Sequence, residues 1–265
     1  MNLPTIASIG FGAMARALQD GLARNSDSLR LSGALVRSAT NQEATTNFTL
    51  WQSAQELIAA KPDLVVECAG HSAVREVVPK LLEAGIDVII ASVGALADSQ
   101  TRDRIDRAAQ TGKARATVVS GAIGGLDVLR AAALAGLDEV TYVGRKPPPA
   151  WKGTPAEHLL DLDALREPTE FFNGDAASAA AEYPKNANVT AAVALAGLGF
   201  DRTRVRLVAD PHQQTNSHEL EAIGAFGRFR IILDNNPLPE NPKTSWLAAL
   251  SAEQAVFRHF TNLEL

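Results

Sequence analysis

Nothing in this chain constrains its fold more tightly than the run Ile6-Ala7-Ser8-Ile9-Gly10-Phe11-Gly12-Ala13-Met14-Ala15, where an apolar strand passes through a glycine turn into a helix. The spacing is G-x-G-x-x-A, in the strand–turn–helix setting that gives the pattern its meaning. Gly10 permits the tight turn, Gly12 lets a diphosphate approach the backbone, and Ala15 lets the helix pack closely on the strand. The helix start at Ala13 and Met14 offers free N–H groups and the positive end of the helix dipole to phosphate. A plain glycine turn would need none of this spacing. The loop therefore predicts dinucleotide binding at the first turn of a βαβ series.

The first half alternates apolar strands with helix-patterned runs. Strands are expected at Thr5–Gly10, Ser32–Val36, Leu64–Glu67, Val88–Ser92 and Ala116–Val119, with helices at Ala13–Ala23, Ser53–Ala60, Ala73–Ala84 and Arg102–Thr111. That order predicts an α/β domain over 1–120, a Rossmann-type doubly wound parallel sheet covered by helices. The pattern changes near Gly121. A helix at Leu126–Ala135 and a strand at Glu139–Arg145 run into Pro147-Pro148-Pro149, which cannot continue a ladder. Strands at Arg204–Asp210, Ser217–Gly224 and Gly227–Leu233 are joined by turn residues, which predicts a second, α+β domain with a mixed sheet over 121–244. Residues 245–265 hold a last helix, Leu247–Phe260, capped by Thr244 or Ser245 and expected to return to the first domain.

Composition removes several classes of function. A formal net charge of −5 without any Lys/Arg block speaks against nucleic acid or a membrane surface as partner. The longest uncharged stretch, Asn186–Phe200, is shorter than the ~18–20 apolar residues of a membrane span. A single cysteine, Cys68, excludes an internal disulfide framework, and no His or acid spacing suggests a metal. With no basic and apolar leader at its start, the chain is expected to be cytoplasmic.

The second strand ends Leu35-Val36-Arg37-Ser38, without the acid that grips the ribose of NAD. Arg37 either faces the 2′-phosphate of NADP or is a solvated surface residue, so NAD or NADP is the expected cofactor. Three Gly-rich loops stand at strand ends: Cys68-Ala69-Gly70-His71-Ser72, Ser92-Val93-Gly94-Ala95 and Ser120-Gly121-Ala122-Ile123-Gly124-Gly125. The last is a candidate cleft floor, with Ala122 placed to touch the cofactor through its backbone. Cys68 reads as a packing residue, and His71 as a neighbour of a helix cap or a ribose contact. In Tyr183-Pro184-Lys185-Asn186-Ala187-Asn188-Val189, Asn186 or Asn188 either caps the following helix or binds a carboxamide. Strand alternation sets His218 on the same face as Leu220 and Ala222, which fits a core histidine as well as a catalytic one.

Taken together, these segments resemble the L-aspartate dehydrogenase family over nearly the whole chain. The resemblance is carried by the glycine loop, Ser120–Gly125, Gly144-Arg145-Lys146-Pro147-Pro148, Tyr183–Val189, Asn216-Ser217-His218-Glu219-Leu220 and Asn241-Pro242-Lys243-Thr244-Ser245. It implies oxidative deamination of L-aspartate to oxaloacetate and ammonia through iminoaspartate, or the reverse, in a homodimer with a tie to pyridine-nucleotide biosynthesis. It also implies that His218 is the active-site histidine and that Ala122 and Asn188 contact the cofactor. A neutral imidazole near its usual pKa of about 6.5 can take a proton from the water that attacks the imine. The two substrate carboxylates need cations or N–H donors, for which Lys185, Lys243 and Thr244 are the candidates. Rival readings are a homoserine dehydrogenase-like or dihydrodipicolinate reductase-like enzyme, and a non-catalytic NAD(P)H sensor.

Overall fold

The glycine loop takes its shape from the strand before it. β1 (Thr5–Ile9) is buried from Ile6 onward, as a strand covered on both faces must be. In the computed structural model, which describes residues 3–38, 48–184 and 187–263, β1 is the third strand of a six-stranded sheet. Its companions are β2 (Arg30–Leu35), β3 (Thr49–Trp51), β4 (Leu64–Glu67), β5 (Val88–Ile90) and β6 (Ala116–Val118). All pairs are parallel and the order is β3-β2-β1-β4-β5-β6, so the connections reverse direction between β1 and β4.

The helices of this unit are α1 (Ala13–Asn25), α2 (Ala54–Ala59), α3 (His71–Glu76), α4 (Val78–Glu83) and α5 (Ser99–Gly112). The single helix expected over Ala73–Ala84 is two, because Pro79 enters the first turn of α4 and cannot donate a hydrogen bond back into α3. β3 is a three-residue edge strand, too short to show a period of its own.

The second sheet is built differently. α6 (Leu126–Ala133) leads into β7 (Leu137–Lys146), then α7 (Ala156–Leu159), β8 (Thr169–Asp175), α8 (Ala176–Glu182) and α9 (Ala187–Ala196). β9 (Arg204–Ala209), β10 (Asn216–Gly224) and β11 (Gly227–Asn235) follow, then a small ribbon of β12 (Pro237–Leu238) and β13 (Asn241–Ser245), and finally α10 (Trp246–Phe260). The order is β11-β10-β7-β9-β8, with β7 and β9 parallel and the other pairs antiparallel, so the sheet is mixed. Val140, Tyr142 and Gly144 of β7 share a face with Ala222, Leu220 and His218, their partners on β10. α6 and α9 lie on that face: a side chain at Gly197 would touch both Leu129 and Val140.

The chain forms two compact units, Met1–Val119 with Ala249–Leu265, and Ser120–Ala248. Most of α10 thus belongs to the first unit. There Glu253 is buried and accepts a hydrogen bond from Asn25 at 2.6 Å, in space left by the missing side chain of Gly21. Thr244 does not cap α10. It lies within β13, and its hydroxyl accepts from Asn241 at 3.0 Å.

Candidate active site

Gly10 has φ +81°, and a side chain on it would sit 2.9 Å from the Cβ of Ala69, so two constraints select glycine there. Gly12 is different. Its φ is −86° and no atom lies within 4 Å of where its Cβ would be. It stands at the N-terminus of α1, which no side chain caps, so the first N–H groups of that helix are left without a side-chain acceptor. Ala15 is fully buried against the sheet. This is a cradle with room for a diphosphate.

The cradle opens into a cleft of about 560 Å³ lined by Gly10, Gly12, Arg37, Ser38, Ser53 and Ala69, among others. Arg37 and Ser38 are exposed at its edge, where a ribose substituent would meet them. Cys68 lines the same cleft, and burial pushes its thiol far above the usual range, so it packs rather than reacts. His71 is the first residue of α3.

Glu67, at the end of β4, has no exposed surface and was not legible as a site residue. Its Oε1 accepts from the N–H groups of Ala69 and Gly70 at 2.7 Å and from the Ser92 hydroxyl at 3.0 Å, while Oε2 accepts from the Ser92 N–H at 2.9 Å. One carboxylate therefore pins the loops that follow β4 and β5. Its only signal in the sequence is an acid inside an apolar strand, which a buried position does not tolerate without partners.

In the second unit His218 is 4% exposed, and its Nδ1 is 2.8 Å from the Tyr142 hydroxyl. Its Nε2 is buried and has no hydrogen-bond partner among the described residues. Burial, aided by the charge of Lys146, pulls the His218 pKa down to about 3 rather than leaving it near the ordinary value expected from the sequence, so the ring is neutral but a much weaker base than that expectation required. Lys146 extends from the same face of β7, its Nζ 5.3 Å from the ring centre of buried Trp151. Desolvation lowers its pKa to about 8, which leaves it cationic at neutral pH. Neither Tyr142 nor Lys146 was expected at the site, because only the β7–β10 register brings them beside His218.

The loop 121–125 lies over the same face, since a side chain at Gly124 would meet Leu233, the cross-strand partner of His218. Its shape is held by Asn235, which donates to the Ala122 carbonyl at 2.7 Å. Asn188 is the second residue of α9 and exposed, so it is not the cap of that helix. Lys185, Asn186 and the side chain of Lys243 lie outside the described residues. Among the described residues no cluster of His, Cys, Asp and Glu could hold a metal.

Residues 127–259 match the family profile of the aspartate dehydrogenase C-terminal region, and residues 10–118 match the NAD-binding domain of homoserine dehydrogenase. The chain is also 46% identical over 255 residues to the L-aspartate dehydrogenase of Cupriavidus necator, across 95% of this chain and 96% of that one. The chain belongs to the aspartate dehydrogenase family. A second relative in that family, the L-aspartate dehydrogenase of Ralstonia nicotianae, is 54% identical over 198 residues, 75% of this chain and 74% of its own. The crystal structure of aspartate dehydrogenase from Thermotoga maritima superposes with a TM-score of 0.78 at 25% identity and covers 99% of both chains. The homoserine dehydrogenase match ends at residue 118 and concerns the nucleotide-binding sheet alone, whereas the aspartate dehydrogenase profile takes in β7, β10 and His218.

Proposed function

We propose that this member of the aspartate dehydrogenase family interconverts L-aspartate and oxaloacetate plus ammonia, through iminoaspartate, with NAD or NADP. The observation that carries the reading is His218, a neutral imidazole whose buried Nε2 has no protein partner among the described residues. A nitrogen kept in that state costs stability unless a ligand completes it.

When bound, the nicotinamide exchanges a hydride with C2 of the substrate. The chain's own residues do the rest. Gly10 and Gly12 make room for the diphosphate, and the N–H groups of Ala13 and Met14 bind it. Arg37 meets the ribose and, where present, its 2′-phosphate. The backbone of Ala122, held by Asn235, and the side chain of Asn188 are assigned to the cofactor. His218 is assigned to C2, where water must add to the imine before ammonia leaves, and with its basicity suppressed by burial it serves there as a hydrogen-bond partner rather than as the base that takes the water's proton. Lys146 is assigned one substrate carboxylate because its cation lies on the His218 face, and Lys185, Lys243 and Thr244 remain assigned to the other. The reading includes a homodimer working in the cytoplasm, where nicotinamide cofactors and keto acids circulate.

The test is oxidation of NADH and NADPH by oxaloacetate, with and without ammonium. Ammonium-dependent oxidation is expected, lost by about 10²–10⁴-fold in His218→Ala while NADPH still binds. Oxidation that proceeds equally without ammonium would mean plain keto reduction and overturn the reading.

A further inference from the structure

We propose that Tyr142 is a positioning residue that holds His218 as the Nε2–H tautomer, so that the imidazole meets the substrate as a hydrogen-bond donor to the oxygen on C2. This rests on the aspartate dehydrogenase reading and assigns the chemical state of its histidine.

Only one proton can lie between the Tyr142 hydroxyl and His218 Nδ1, which are 2.8 Å apart. Two arrangements satisfy that distance. If Nδ1 carried the proton, the phenol would accept it and its own proton would need another acceptor. Tyr142 is 2% exposed and makes no other side-chain hydrogen bond among the described residues, so that proton would be buried and unpaired. If the phenol donates instead, both atoms are satisfied, and the histidine proton sits on Nε2. Burial keeps the phenol protonated, since it raises the Tyr142 pKa well above the usual value. Nε2 is then a buried N–H without an acceptor among the described residues, and the oxygen on C2 of oxaloacetate, or of the carbinolamine formed from it, supplies one. No proton is transferred in this contact. It stabilises negative charge as it develops on that oxygen.

Gly144 makes the arrangement possible. It is the cross-strand partner of His218, and a Cβ at this position would lie 2.8 Å from the Tyr142 hydroxyl. Any larger residue would push the phenol away from Nδ1.

The test has two arms. In the wild-type protein labelled with ring-¹⁵N histidine, with the His218 signals assigned through His218→Gln, Nε2 is expected to show a protonated shift and Nδ1 an unprotonated one. The reverse pattern, or an average of the two, would overturn the proposal. Tyr142→Phe is expected to lose the single tautomer and about 10–100-fold in kcat, with the KM for aspartate and the Kd for NADPH nearly unchanged. Gly144→Ala should move the same quantities in the same direction. Wild-type kcat in Tyr142→Phe would remove the positioning role. If the wild-type protein turned over neither aspartate nor oxaloacetate with ammonium, the functional reading would fall and the donor role with it, while the ¹⁵N pattern would still decide the tautomer.

Discussion

Lys146 and His218 are opposite answers to one problem, a titratable group taken out of water. The imidazole gives up its charge and the ammonium keeps it, because burial drags the lysine only to about 8. A lysine with a lowered pKa is cationic below that value and loses its charge as pH rises through it. If Lys146 holds a substrate carboxylate, inhibition by succinate, which has no group titrating there, should weaken by about tenfold per pH unit above pH 8. Lys146→Met should bind succinate poorly at every pH. A succinate inhibition constant that stays flat from pH 7 to 10 in the wild type would detach Lys146 from the substrate. Chain motifs made His218 visible as a candidate. Tyr142 stayed hidden because it stands 76 positions away in sequence, and its meaning comes from a strand register that no local pattern encodes.

The junction of β1 and α1 shows two glycines kept for different reasons, which substitution can separate. Gly10→Ala meets both a positive φ and the Ala69 side chain, and should cost about 1–3 kcal/mol of stability. Gly12→Ala enters open space at an ordinary φ and should cost less than about 1 kcal/mol, yet weaken NADPH binding by tenfold or more because its methyl occupies the cradle. Thermal melts and cofactor titrations of the two variants check this, and a Gly12→Ala protein with wild-type NADPH affinity would contradict it. Five of the six parallel strands of the first unit were legible because each is a short, largely apolar run between turn residues, whereas the three-residue β3 was not. β8 was not, since its residues Thr169-Glu170-Phe171-Phe172-Asn173-Gly174-Asp175 alternate weakly at a sheet edge and none is fully buried. The break at Pro79 was visible in the sequence, and the apolar period running through it concealed its effect.

At the scale of the whole molecule, the face of the mixed sheet opposite His218 carries ion pairs, Arg230 to Glu219 at 2.7 Å and Arg206 to Glu170 at 2.6 Å, with Ile232 exposed among them. Exposed pairs of this kind add little to stability. We expect that face to take part in the homodimer, so sedimentation velocity should report a dimer at about micromolar concentration. A monomer throughout that range would remove the assembly from the proposal. The change of pattern near Gly121 was plain in the sequence, whereas the pairing of β7 with both β9 and β10 was not, because it joins strands separated by whole helices. The contact of Glu253 with Gly21 and Asn25 has a consequence in time. A ribosome that has finished Val119 must add the 129 residues Ser120–Ala248 before reaching Ala249. At roughly 5–20 residues per second, the newborn nucleotide-binding sheet waits roughly 6–26 s with α1 uncovered where α10 will lie. Throughout that interval it depends on chaperones, or on its own solubility, to stay unaggregated.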